Sequence, residues 1–387
     1  MLPYSDIPFF IIAIIMVAAA YGCKSWLHRV VSYRVFILSI GLCYTIFFFP
    51  KPWHLLLYVC YAYGIYYLFP FVLKWRNKLA GVILTLLPML IVKSEWALRW
   101  HNEKIYTLIS FAGLSYMCFK MMSVHMDAHA SKPRADFLNY VSYLLFTPVL
   151  LIGPIDRLPR FEKDLQNGYA NLNAQLFRSG WESVVLGLLY KFVLAEIVSR
   201  YWLPELEGRH GLHYAAADVY AYLLYLFFDF AGYSHLAIGL GKMLGINVPV
   251  NFNKPFLSVN PQDFWQRWHK SLGDWLRDYF FMPLYKFLSE RKMLKAWPLL
   301  RQNVALFCTF LLMGCWNGFE KHYILSGAIF GLYSVVHNTY VVQCKKQKRD
   351  VMFGNLAPQT VKYISIFIMI NLVAIAVYVF SGRSLPL

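Results

Sequence analysis

The sequence predicts an all-α integral membrane protein: about eleven transmembrane or tilted helices, with re-entrant and amphipathic helices between them. Three observations carry this. Of 387 residues, 59% are hydrophobic and only 15% are charged, whereas a soluble domain carries about 25% charge. Apolar runs of bilayer-crossing length recur along the whole chain. The positive charges that make up the net +17 gather in short stretches between those runs, the pattern of loops on the cytoplasmic side of a membrane.

The runs lie near 7–23, 35–50, 54–73, 79–93, 105–122, 137–153, 181–200, 219–241, 303–316, 322–343 and 361–381. The first has neither a basic leader nor a small-residue cleavage site and reads as a retained span. Several runs are short or carry polar residues and are expected to be tilted, broken or re-entrant. The basic stretches are Lys24, Arg29 and Arg34; Lys74, Arg76 and Lys78; Lys120, Lys132 and Arg134; and Lys345, Lys346, Lys348 and Arg349. Placed in the cytoplasm by alternation, they put Met1 and the tail after Arg383 outside. In a membrane protein such a balance points to anionic lipid headgroups or an acidic soluble partner, not to nucleic acid. The seven cysteines are scattered singly, with no spacing that suggests a metal site.

A single membrane domain over 1–387 is expected, in three parts: N-terminal helices to 125, a motif-dense core over 126–343, and a C-terminal helix in 344–387. The core holds two stretches that do not read as simple spans. "LIGPIDRLPRFEKDL" (151–165) carries two prolines and six charges, with Asp156–Arg157 as an expected ion pair. "NVPVNFNKPFLSVNPQDFW" (247–265) carries three prolines, which favour extended or turn backbone. Backbone of that kind at membrane depth must be buried in protein or line a cavity.

"DFWQRWHKSLGDWLRDYFF" (263–281) has three tryptophans and six charges. Its spacing predicts one amphipathic helix with Phe264, Trp268, Leu272, Trp275 and Tyr279 as an apolar stripe. Asp263 is the expected cap. Asp263–Arg267 and Lys270–Asp274 are expected i,i+4 pairs, and Arg277 relieves the repulsion of Asp274 and Asp278. On this helix Trp265, His269 and Leu276 share a second face. His269 is either a structural histidine or a proton-transfer group, since an ionisable side chain in a membrane segment is a functional candidate.

"LMGCWNGFEKHYILSGAIFGLYSVVHNTY" (312–340) places Trp316-Asn317-Gly318 at a break and His337-Asn338 in the next apolar run. Asn317 reads as a helix terminator or as a cavity-lining amide. His337 reads as a buried structural residue, a base or a ligand. "LFFDFAGYSHLAIGLGKMLGI" (226–246) puts Asp229 and Tyr233 four apart in a span. Asp229 needs a cation there, and Arg157, Arg267 or Lys254 is expected to supply it. The glycines at 232, 239 and 241 are expected to let helices approach closely.

Together and in this order, "GPIDRLPRFEKDL", "LFFDFAGYSHLAIGLGKMLGINVPVNFNKPF" and "DFWQRWHKSLGDWLRDYFFMPL" closely resemble the membrane-bound O-acyltransferase family, over about residues 105–340. Within it, the members that transfer D-alanine are the most similar. The resemblance implies a ring of tilted helices around a thin centre crossed by a tunnel. It implies an acyltransferase, multi-pass in the cytoplasmic membrane, with no permanently bound cofactor and no metal. The donor would be D-alanine on the phosphopantetheine thiol of a small acidic carrier protein at the cytoplasmic face. The acceptor would be a hydroxyl of a cell-envelope polymer such as a teichoic acid, or of a relay to it, at the outer face. Membrane lipids are the remaining partner.

The resemblance places two residues at the tunnel centre. One is His269. The other, a histidine of a Trp-His-Gly motif in the family, is Asn317 here. Trp265, Trp268, Trp316, Asp229, Tyr233, Arg267 and Ser271 are the expected tunnel residues around them. An amide takes no proton at neutral pH, which leaves three outcomes. His269 does the acid–base work while Asn317 binds the carbonyl or developing oxyanion; or His337 reaches the tunnel; or catalysis is impaired. Three other readings stay open: an O-acetyltransferase acting on exopolysaccharide or peptidoglycan, a transporter or channel with midplane charges, and a non-catalytic scaffold.

Overall fold

A computed structural model describes residues 4, 6–73, 78–98, 113–128, 135–349 and 357–384. Among these the chain is helical and contains no strand. Lys74, Arg76, Lys132 and Arg134, and residues 105–112 of one expected run, lie outside the described residues.

The helices follow the apolar runs closely. They are α1 (Ile7–Gly22), α2 (Tyr33–Phe48), α3 (Pro52–Leu73), α4 (Lys78–Leu98) and α5 (Leu114–Asp127). Next come α6 (Phe137–Leu144), α7 (Leu158–Asn167), α8 (Ala174–Leu188) and α9 (Leu212–Met243). After them stand α10 (Pro261–Trp265), α11 (Lys270–Leu276), α12 (Met282–Ser289), α13 (Pro298–Asn317), α14 (Lys321–Lys346) and α15 (Pro358–Ser381). Among the described residues, four helices are long and apolar enough to cross a membrane: Ile7–Trp26, Leu212–Met243, Pro298–Asn317 and Pro358–Ser381. Their outward faces carry bare aliphatic and aromatic side chains, with Ile7 76%, Ile14 69% and Phe367 68% exposed. Surfaces of that kind belong against lipid. The protein is a multi-pass membrane protein.

The run at 137–153 is not one continuous helix. α6 stops at Leu144, and a 3-10 turn over Thr147–Val149 carries the chain onward through Pro148, because proline removes a helical donor.

By its contacts the chain divides into two units: residues 1–189 with 230–250, and residues 190–229 with 251–387. In the first, α8 and the end of α9 touch backbone to backbone. A Cβ on Gly239 would lie 2.6 Å from the Gly180 carbonyl oxygen, and one on Gly187 would lie 2.9 Å from that of Gly232. Gly232 and Gly239 are thus the packing surface expected of them. Gly241 packs locally, where a Cβ would meet Val248.

The "GPIDR" segment of this unit is held differently from its expected form. Buried Asp156 takes a two-pronged bond from Arg160, at 2.7 and 2.5 Å, and accepts the Arg157 backbone N–H at 2.6 Å. An i,i+4 register on α7 lets the guanidinium fork reach both carboxylate oxygens, which an adjacent residue's side chain does less well. Lys120 is not a loop residue either. It is buried within α5, donates to the Tyr143 carbonyl at 3.2 Å and stands 5.1 Å from the Tyr143 ring centroid, a placement that satisfies a buried ammonium.

In the second unit, α13 and α14 form a tight hairpin. A Cβ on Gly314 would lie 2.4 Å from the Tyr323 carbonyl oxygen, and one on Gly327 would lie 2.6 Å from that of Phe310. Leu223, Phe264, Trp268, Phe310, Phe330 and Val373 bury one another in the core of this unit.

Candidate functional site

The stretch 263–281 is not one helix. Asn260 caps α10, its Oδ1 accepting from the Asp263 N–H at 2.8 Å, and Asp263 returns the bond by accepting from Val259 N–H at 3.1 Å. Asp263 therefore sits inside the helix start rather than before it. α10 ends after five residues, and His269 takes up a left-handed conformation, φ 44°, ψ 49°. A residue with a Cβ pays roughly 1–2 kcal/mol for this conformation. α11 begins on the next residue and continues through a π-helical turn, Arg277–Phe281, into α12. The single apolar stripe and the shared face of Trp265, His269 and Leu276 are thereby broken.

The cause is long-range. Residues 251–253 run alongside the turn at 267–270. Asn253 N–H donates to the Arg267 carbonyl, and Lys270 N–H donates to the Asn251 carbonyl, both at 2.9 Å. The Asn251 side chain is fully buried, and its Oδ1 accepts from Ser271 N–H at 3.3 Å and from Ser271 Oγ–H at 2.6 Å. Sequence reasoning missed Asn251; the proline-rich extended stretch around it was the available signal. The Nε2 atom of His269 is buried. Burial pushes the imidazole down to about 3, so the ring is neutral at pH 7.

The expected charge pairs divide. Arg267 bonds Asp263 at 2.7 Å. Arg277 bridges Asp274 at 2.7 Å and Asp278 at 2.9 Å, relieving their repulsion as expected. Asp274 thus takes Arg277 as its partner in place of Lys270, from three residues away on the same turn.

A cavity of about 620 Å³ opens in this unit, within the range of small-molecule sites. One side is formed by the broken helix, with Trp265, Arg267, Lys270 and Arg277; the other comes from α13 and α14, with Gln302, Thr309, Met313, His337 and Asn338. The cavity joins cationic, amide and apolar surface. Asn338 is held by Asn303 at 2.7 Å, and Asn303 in turn donates to Thr339 at 2.9 Å, which fixes the α14 wall. Arg267 and Lys270 line the cavity on either side of the left-handed turn; among the described residues its lining includes His337 but not His269, Trp316 or Asn317.

The other expected site residues sit as follows. Trp268 lies in the core, stacked on Phe264 at 5.5 Å and edge-on to Phe252 at 5.1 Å. Trp265 packs on Phe310 and Phe330 at 5.0 and 4.9 Å. Ser271 is the partner of Asn251. Trp316 is partly buried in the last turn of α13. Asn317 closes α13 before Gly318; it is exposed, and its Nδ2 donates to the Met313 carbonyl at 2.9 Å. Asp229 pairs with Lys191 at 2.6 Å, in place of Arg157, Arg267 or Lys254. Lys191 comes from the π-helical turn Leu189–Leu194, whose wider register no heptad pattern announces. Tyr233 packs against Tyr4, with ring centroids 6.2 Å apart.

The membrane-bound O-acyltransferase family model matches residues 60–380. The chain belongs to the membrane-bound O-acyltransferase family. It is similar to the teichoic acid D-alanyltransferase of Bacillus subtilis, 31% identical over 99% of this chain and 98% of that protein. That of Streptococcus thermophilus is 33% identical over 80% of this chain and 76% of its own length. The peptidoglycan O-acetyltransferase of Helicobacter pylori is 31% identical over 62% of this chain and 43% of that protein. As a member of this family the protein is an acyltransferase.

Proposed function

We propose that this membrane-bound O-acyltransferase moves D-alanine from the phosphopantetheine thioester of a carrier protein to a hydroxyl of a cell-envelope polymer or relay, in the cytoplasmic membrane. One observation carries the choice of acyl group. The likeness to a D-alanyltransferase runs from end to end of both proteins, while that to the O-acetyltransferase covers 43% of the latter's length. A ring of about eleven crossing and tilted helices around a tunnel is the architecture this reading expects.

The cavity supports it. Phosphopantetheine joins a phosphate, two amides and a thiol, and the walls offer Lys270, Arg267 and Arg277 to the first and Gln302 and Asn338 to the second. The acceptor oxygen attacks the thioester carbonyl, the C–O bond forms, and the C–S bond breaks. His269, neutral, takes the hydroxyl proton and returns it to the departing thiolate. Asn317, exposed at the end of α13 with its Nδ2 on the Met313 carbonyl, offers the reaction no base. Trp265 and the apolar cavity wall keep water from the ester. His337, on the opposite wall, is the other imidazole in reach of this chemistry. The basic residues Lys24, Arg29 and Arg34, and Lys345, Lys346, Lys348 and Arg349, suit an acidic carrier.

The test is the donor. Proteoliposomes of the full chain are given D-[14C]alanyl carrier protein or [14C]acetyl-coenzyme A. Label passing to the acceptor from the aminoacylated carrier alone is the expected result. Label moving from acetyl-coenzyme A alone overturns the acyl-group assignment.

A further inference from the structure

We propose that Asn251 and Ser271 are positioning residues that hold His269 in its left-handed turn and so aim its imidazole. This rests on His269 being the proton-transfer group.

The clamp grips both sides of the turn. Asn251 accepts from Lys270 N–H through its carbonyl, at 2.9 Å, and from Ser271 N–H and Oγ–H through Oδ1, at 3.3 and 2.6 Å. Asn253 N–H binds the Arg267 carbonyl on the other side, at 2.9 Å. The turn closes by donating Leu272 and Gly273 N–H groups to the His269 carbonyl, at 3.1 and 3.0 Å. Position 269 is one of four described non-glycine residues at positive φ, where glycine would sit without strain. A structure built for stability alone would place glycine there. Strain kept at one residue and over-determined by its neighbours points to a side chain the site requires. Asn251 and Ser271 are both buried, so their bonds are made out of water and hold the turn firmly. A continuous helix would carry His269 on one face with Trp265, whereas the left-handed turn sets it at the break between α10 and α11, in the segment whose Arg267 and Lys270 line the cavity.

The test uses the full chain in nanodiscs and five variants: Asn251→Leu, which removes the acceptor; Asn251→Asp, which keeps it; Ser271→Ala, milder than Asn251→Leu; His269→Gly; and the Asn251→Leu, His269→Gly double. Asn251→Leu is expected to lower kcat about 30-fold, the scale of a misaimed catalytic group, with KM for the aminoacylated carrier within about twofold. Ser271→Ala is expected to lower kcat about fivefold, and Asn251→Asp to retain about a third of it, by the same reasoning. In the His269→Gly background, Asn251→Leu is expected to lower the melting temperature by no more than about half as much as in wild type, because glycine needs no holding at positive φ. Equal kcat for Asn251→Leu and wild type, equal losses for the Leu and Asp variants, or equal melting shifts in both backgrounds would overturn the clamp. If Asn251→Leu does not fold, Ser271→Ala carries the test alone, and an unchanged kcat there refutes it. Wild-type turnover in His269→Gly would instead refute the proton-transfer reading, and the melting comparison would still judge the clamp.

Discussion

Two stretches of the second unit carry the histidines and the asparagine proposed for acyl transfer, and they are built in opposite ways. Residues 263–281 are bent by bonds from elsewhere: a distant segment, 251–253, breaks what periodicity would have made a single helix and fixes a left-handed histidine. Residues 312–340 obey local signals. Gly318 stops α13, the Asn317 amide folds back on its own helix, and glycines bring α14 against it. The difference teaches where precision is stored. The α13–α14 hairpin is a rigid backbone-to-backbone wall that tolerates little volume. The clamp is a polar device that spends stability to orient one side chain.

Volume is the strongest way to break the hairpin. Gly327→Val puts a branched side chain where even a Cβ would lie 2.6 Å from the Phe310 carbonyl oxygen and 3.1 Å from Gly314. A backbone contact yields little, so the loss is about 3 kcal/mol, the upper end for overpacking. Fluorescence-detected size-exclusion chromatography after a heat ramp reads it; a melting curve matching wild type would show that the helices part without cost.

A smaller effect sharpens the comparison. Asn317 is exposed at a helix end, so Asn317→His is expected to leave the melting temperature unchanged, within the ±0.5 kcal/mol usual for such sites. It restores a base where the family has one and is expected to raise turnover about tenfold, the low end of general-base contributions. Turnover unchanged or reduced would mean that the chemistry has been rebuilt around the amide.

Much of this was legible in the residues. Composition and apolar runs located α1 to α4 and α13 to α15 to within five residues, but α6 stops well short of its run and α8 and α9 begin before theirs. The prolines of 247–265 announced non-helical backbone, and the "RWH" stretch announced the family. What stayed hidden was long-range. The stripe Phe264–Trp268–Leu272 fits a helix as well as the true break does, because periodicity carries no trace of the Asn251 bonds. Asp229 found Lys191, and Asp156 found Arg160, because side-chain reach, not sequence adjacency, selects a buried acid's partner. Lys120 looked like a loop charge and is a core residue, since a single lysine in an apolar run reads the same either way.

The account turns on the imidazole in the left-handed turn. The direct measurement is single-turnover transfer of D-[14C]alanine from carrier protein to acceptor in proteoliposomes, comparing wild type, His269→Ala and His337→Ala at matched insertion. The account predicts that His269→Ala falls at least about a hundredfold, the scale of general acid–base catalysis, and that His337→Ala retains most of the rate. Wild-type turnover in His269→Ala, with loss confined to His337→Ala, would contradict it.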